Sequence, residues 1–164
     1  MELYNPISEE IKSMLLDRLT NEYEAHFFYT NAANWCESTG YNKAANYYKE
    51  ESATELTHAG KLMTFLNNWG VSFTVPSESV TPVFDSLPDT IGKAYAIEVA
   101  LYKSYCENAN TVENAERSTY MLLLEMVNIQ YESVAEYRTL LDKLSLYDED
   151  KTSIKLFEKE AFKN

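Results

Sequence analysis

The sequence predicts an all-α protein: a four-helix bundle with one long crossover between helices two and three, and a short fifth helix at the C-terminal end. Three observations predict it. Turn formers are scarce, with four glycines and four prolines in 164 residues, whereas an all-β chain needs many more. Four long stretches carry apolar residues at alternating spacings of four and three, the period of packed helices. Two of the links between those stretches are tight and one is long, which fixes the connectivity.

The elements follow in order. Ser8-Glu9-Glu10-Ile11 is a helix start, with a capping serine and acids in the first turn. It opens a helix over about 8–38 that Thr39-Gly40 ends, and a second helix runs over about 41–69 until Gly70. Residues 71–86 hold two prolines and several β-branched residues without a helical period, so they read as an ordered connection. Pro88 suits the first turn of a third helix over about 88–110. After a turn near Thr111–Asn114 comes a fourth over about 115–146, and Asp148-Glu149-Asp150 opens the fifth, over about 148–162. A helix of about 30 residues spans roughly 45 Å. The tight links make helices one and two, and three and four, antiparallel neighbours; the long link carries the chain back to the far end. Residues 1–164 are read as one domain.

Composition narrows the function. The chain is 45% hydrophobic and 24% charged, which excludes a disordered chain. With 26 acidic against 14 basic side chains the net charge is −12, and there is no Lys/Arg cluster, so no nucleic-acid partner is expected. An acidic surface attracts cations. Cys36 and Cys106 form no CxxC pair, as expected of a reducing cytosol. No apolar run approaches the length of a membrane span, and the N-terminal MELYNPISEE lacks a basic stretch followed by an apolar one. The expectation is a cytoplasmic protein without a membrane partner.

Polar residues interrupt the apolar seams. The predicted seams are Leu15, Leu19, Glu22, His26, Tyr29, Ala33 and Cys36 in helix one, and Ala44, Tyr48, Glu51, Glu55, His58, Leu62, Phe65 and Trp69 in helix two. Helix three offers Ile91, Tyr95, Glu98, Tyr102 and Tyr105, and helix four Leu123, Val127, Gln130, Val134, Tyr137, Leu141 and Leu144. Glu22, Glu55, Glu98 and Gln130 thus lie mid-helix on inward stripes. An isolated ionised carboxylate there costs several kcal/mol or is driven neutral, and no Lys or Arg shares those stripes at mid-helix. Divalent cations solve the problem, being hard, positive and satisfied by oxygen ligands plus an imidazole. In Glu55-Leu-Thr-His58 the i, i+3 spacing aims a carboxylate and a ring nitrogen at one spot. The motif is common alone and becomes specific with Glu22 and Glu98 at comparable depth on facing helices.

Other residues have plainer readings. Tyr29 alone would be a core aromatic, and His26, one turn from Glu22, reads as a packed or rim histidine rather than a ligand. Glu51, one turn before Glu55, faces either the centre or solvent. The thirteen tyrosines read as packing rather than a radical chain, and the two cysteines as packing.

These residues resemble the non-haem ferritins. Glu22 and Tyr29, seven apart and followed by Trp35-Cys36, are similar to that family's first helix, and Glu55-Leu-Thr-His58-Ala-Gly-Lys-Leu-Met to its second. Glu98 in Ala-Ile-Glu-Val-Ala and Gln130 in Val-Asn-Ile-Gln, 32 residues later, fit the third and fourth. The resemblance covers essentially the whole chain. It implies a di-iron ferroxidase centre: Glu22, Glu55 and His58 holding one iron, Glu55 bridging to a second held by Glu98 with Gln130 beside it, and Tyr29 next to the centre. It implies Fe(II) and O2 as substrates, with H2O2 as an alternative oxidant, and ferric mineral stored in a homo-oligomeric shell of about 24 subunits.

The chain departs from its relatives in places. Haem-type members carry a second Glu-x-x-His on helix four and a haem-ligating Met; here stand Gln130-Tyr-Glu-Ser133 and Leu56, so no haem is expected. Thr54, Ile129 and Ser133 occupy positions where acids of a third iron site are found, leaving only Glu132. Thr119-Tyr-Met-Leu-Leu-Leu-Glu125 is apolar where animal-type chains line an iron channel with acids; Glu113 and Glu116 are the substitutes to consider. Two rivals remain: a rubrerythrin-like peroxide reductase, which usually has two Glu-x-x-His motifs and often a CxxC module, and a helical scaffold that binds iron without turning it over.

Overall fold

Ser8 begins the first helix, α1 (Glu9–Ser38), by accepting a hydrogen bond from the Ile11 N–H at 3.2 Å. Beyond its end Gly40 takes a left-handed φ of 85°, letting the Tyr41 N–H reach back to the Cys36 carbonyl at 2.8 Å. The second helix, α2 (Asn42–Asn68), ends the same way: Gly70 has φ 68° and the Val71 N–H bonds the Leu66 carbonyl at 3.0 Å. These two glycines stop the helices because a side chain is strained at positive φ. Ser86 caps α3 (Leu87–Val112), with Pro88 in its first turn, and Glu116 caps α4 (Arg117–Leu144) by accepting from the Ser118 and Thr119 N–H groups. Asp150 does the same for α5 (Lys151–Ala161).

This computed structural model describes residues 1, 3–77 and 79–162; position 2, position 78 of the crossover and the last two residues lie outside that set. Among the described residues there is no strand, and no helix is long and apolar enough to cross a membrane. α1 packs along α2 and α3 along α4, α1 meets α3 to join the two hairpins, and α5 lies against α4 and α2. The crossover leaves Asn68 and reaches Leu87 without helix among its described residues, buttressed by Phe84, whose ring sits 5.4 Å from that of Phe28. The described residues form a bundle of five helices with one long crossover.

The buried stripe differs from the predicted seams at several positions. Leu66, Ala94, Leu101, Met126 and Leu140 are buried, whereas their predicted neighbours Phe65, Tyr95, Tyr102, Val127 and Leu141 are only partly so. A straight helix drifts by about 20° per heptad against a strict seven-residue seam, so adjacent positions share the inward face. Partly buried tyrosines also keep the hydroxyl toward water while the ring packs.

α2 lacks a side-chain cap of its own at Tyr41. The cap comes from α5: Glu158, 2% exposed, accepts from the N–H groups of Lys43 at 2.7 Å and Ala44 at 3.3 Å. Lys155 closes the arrangement, its Nζ donating to Glu158 Oε2 at 2.9 Å and to the Gly40 carbonyl at 2.6 Å.

Candidate metal centre

α1, α2 and α3 each bring a carboxylate into the bundle interior. Glu22 is 0% exposed, Glu55 1% and Glu98 0%, and His58 follows Glu55 by one turn at 5%. His58 Nδ1 lies 3.0 Å from Glu55 Oε2 and 3.6 Å from Glu22 Oε2. One potential ligand atom from each of Glu22, Glu55 and His58 lies within 4.8 Å of the others. Two of the tyrosines predicted on these stripes bond to the acids: Tyr29 donates to Glu98 Oε1, and Tyr105 donates to Glu22 Oε1.

Those bonds occupy one oxygen of each carboxylate. Glu22 Oε2 and Glu98 Oε2 are buried without a hydrogen-bond partner, and so are both amide atoms of Gln130, which is 0% exposed on α4. Buried polar atoms in folded proteins are nearly always satisfied, so a set of orphans in one interior is a site awaiting a ligand of matching chemistry. The two carboxylates and one imidazole of Glu22, Glu55 and His58 are a donor set for a hard or borderline divalent cation. No Lys or Arg among the described residues pairs with any of the three acids.

The electrostatics agree with the geometry. Burial drives the Glu55 carboxyl well above the ordinary carboxylate range, with the His58 hydrogen bond opposing and the charges of Glu22 and Glu98 adding. Burial likewise lifts Glu98 to about 7, against the Tyr29 hydrogen bond and with the Glu22 charge. For His58 burial alone would depress the imidazole, but the nearby Glu22 carboxylate at 3.6 Å and the hydrogen-bonded Glu55 outweigh it and hold the ring at about 10.

The structure therefore gathers Glu22, Glu55 and His58, ties Tyr29 to Glu98, and buries Gln130 without hydrogen-bonding it to the others. His26 sits at the rim, half-buried, its Nδ1 2.8 Å from the Ser52 carbonyl. Glu51 is half-buried and lifted to about 7 by burial and the Glu136 charge. Glu116 is engaged as the α4 cap, and Glu125 pairs with Lys61 at 2.6 Å. Tyr105's contact with Glu22 was not foreseen as part of the site. The signal was present, since Tyr105 follows Glu98 by seven residues just as Tyr29 follows Glu22.

A single-crossover helical bundle with buried carboxylates and an i, i+3 Glu/His pair belongs to the class of carboxylate-based metal-binding bundles. Residues 12–147 match the family described as the ferritin-like domain, and the chain belongs to that family. Among similar proteins is a probable bacterial non-heme ferritin-like protein of Haemophilus influenzae, 28% identical, with 94% of each chain covered. A bacterial non-heme ferritin of Campylobacter jejuni is also 28% identical, over 87% of each chain. Among solved structures, an open pore ferritin from the hyperthermophilic archaeon Archaeoglobus fulgidus superposes with a TM-score of 0.90 at 25% identity, covering 97% of this chain and 98% of that one.

Proposed function

We propose that the protein stores and detoxifies iron, oxidising Fe(II) with O2 at a di-iron centre inside each subunit and holding the ferric product as mineral within a homo-oligomeric shell. The observation that carries this reading is the buried Glu22/Glu55/His58 cluster, together with Glu22 Oε2 and Glu98 Oε2, which are buried without a hydrogen-bond partner. Glu22, Glu55 and His58 take one ferrous ion; Glu55 is shared with a second, held by Glu98 with Gln130 beside it. Binding requires deprotonated ligands, so the protons held on Glu55, Glu98 and His58 leave as iron arrives. Two ferrous ions each surrender one electron, which together take O2 to the level of hydrogen peroxide. Hard carboxylates favour the ferric state and so help to drive the oxidation. Tyr29 and Tyr105 orient the two carboxylates through their outer oxygens.

Haem has no place in this reading, and neither has a third iron site of the acid-lined kind, because Leu56, Thr54, Ile129 and Ser133 lack the required groups. A shell of about 24 subunits would gather the net charge of −12 many times over and draw cations inward. The test is stopped-flow Fe(II) oxidation with the native chain and the double variant Glu55→Ala/His58→Ala. Rapid oxidation in the native protein and its loss in the variant, with helical content retained, are expected. Unchanged initial rates in the variant would overturn the site assignment.

A further inference from the structure

The four long helices do not close on one another equally. α1 packs along α2 and α3 along α4, and α1 meets α3, whereas α2 and α4 make no comparable contact. At the level of the centre the α1/α3 seam is bridged by the Tyr29–Glu98 and Tyr105–Glu22 hydrogen bonds, and Phe84 of the crossover packs on Phe28 of α1. The two ends of the α2/α4 seam are tied differently. Toward α5 the Tyr47 hydroxyl donates to Glu136 Oε1 at 3.0 Å, and its ring packs edge-on against Tyr137 and Phe162. Toward the other end the polar tie among the described residues is the ion pair of Lys61 Nζ and Glu125 Oε1 at 2.6 Å, with both side chains about half exposed. Such a pair is a weak clasp, because water and salt screen it.

A cleft of about 530 Å³ opens beside this ion pair, lined from α2 by Thr57, Gly60 and Lys61 and from α4 by Leu122 and Glu125. It is not packed shut: a methyl group on Gly60 would meet no atom within 4 Å. Thr57 and Gly60 flank His58 in the sequence, so the cleft lies at the level of the metal-ligand imidazole along α2. On α4, Gln130 follows Glu125 by little more than a turn and is buried with both amide atoms unpartnered. The seam that is least closed therefore carries a carboxylate at its mouth and a free amide further in.

We propose that divalent ions enter the subunit through the α2/α4 cleft and that the Lys61–Glu125 pair is its gate, the ion taking the Glu125 carboxylate while Lys61 is released to water. This inference rests on the metal-binding reading of Glu22, Glu55 and His58. The exchange leaves no ligand stranded: a hard carboxylate that was held by an ammonium is held by a dication instead. Lys61 then costs nothing to expose, since its ammonium is well solvated at the surface. With the clasp open, α2 and α4 are free to part at this end while the Tyr47 end holds, and the ion passes inward at the level of His58.

The test follows cobalt(II) uptake by stopped-flow absorbance and cobalt(II) affinity by equilibrium titration. Lys61→Met and Glu125→Gln both break the ion pair, yet they are expected to move the rate in opposite directions. Lys61→Met frees the carboxylate and should speed uptake about threefold, whereas Glu125→Gln removes it and should slow uptake about threefold. Affinity is expected to match native in both. Lys49→Met and Glu37→Gln make the same changes of charge at the ion pair that ties α1 to α2 at 2.9 Å, and are expected to leave uptake unchanged. Equal uptake in native protein, Lys61→Met and Glu125→Gln would overturn the gate. So would a like acceleration in both variants, which would make the pair a clasp without a role in passing ions, or Lys49→Met matching Lys61→Met, which would reduce the effect to net charge. A native protein that shows no more cobalt spectrum than Glu55→Ala/His58→Ala would overturn the metal-centre reading, and the gate with it.

Discussion

Tyr105 on α3 donates its hydroxyl to Glu22 on α1, and the favour is returned by Tyr29 of α1 to Glu98 of α3. Each helix thus supplies one carboxylate and orients the other's. Each phenol binds one oxygen and leaves the second, Oε2, buried without a hydrogen-bond partner. The crossed pair fixes how two carboxylates on different helices present themselves to an incoming ion.

Tyr105→Phe is accordingly expected to lower divalent-ion affinity by about 10- to 100-fold, the usual effect of removing a hydrogen bond behind a ligand. Cobalt(II) titration followed by its visible spectrum measures this, with circular dichroism to show that the helices persist. Tyr29→Phe is expected to slow the oxidation phase without abolishing ion binding. Equal affinity in Tyr105→Phe and native protein would show that the Glu22 contact is packing alone.

The metal-free protein should lose stability as pH rises. Glu98 is lifted by burial to about 7 and Glu55 by burial above the carboxylate range, so unfolding releases their protons once pH exceeds the ordinary carboxylate value. His58 is held at about 10 by Glu22 and Glu55 against the effect of burial, so its contribution is present below the ordinary imidazole value and fades as pH rises through about 10. The signs agree: thermal midpoints of chelator-treated protein fall between pH 5 and pH 9. Cobalt(II) reverses the slope, because metal needs the deprotonated ligands.

Glu98→Gln removes one of the competing acids and should stabilise the metal-free fold at pH 8 by about 1–3 kcal/mol. The same change should weaken ion binding. Urea unfolding with and without metal checks both; a variant less stable than native without metal would contradict the account of Glu98 as a group strained toward neutrality.

Glu158→Ala strips α2 of its borrowed cap and should cost about 1–2 kcal/mol. Hydrogen exchange should show lost protection at the Lys43 and Ala44 amides. Glu158→Gln, which keeps an acceptor oxygen, should recover part of the loss.

Much of this was legible beforehand because the signals are local. Ser8, Pro88 and Asp150 announce helix starts, and Gly40 and Gly70 announce stops, through backbone chemistry that needs no tertiary knowledge. Glu22, Glu55, His58 and Glu98 stood out because charge on an apolar stripe demands compensation. The ring contacts did not stand out: that Tyr29 meets Tyr137 depends on the rotation of α1 against α4, and no spacing within either helix encodes it. Glu158 was equally silent, its partners lying 114 and 115 residues away in sequence. Met126 and Leu140 in place of Val127 and Leu141 mark the same limit, since adjacent apolar residues compete for one face and packing decides.

The burial of the centre has a kinetic consequence. With Glu22, Glu55 and Glu98 at 1% exposure or less, no ion reaches them by diffusion through a standing opening in the bundle. Loading must wait for brief separations of the helices, the local openings that amide exchange detects in native proteins. The clock for uptake is then set by breathing, with the steep temperature dependence of a packing event. Substitutions that stiffen the bundle, however helpful to the melting point, should slow its filling.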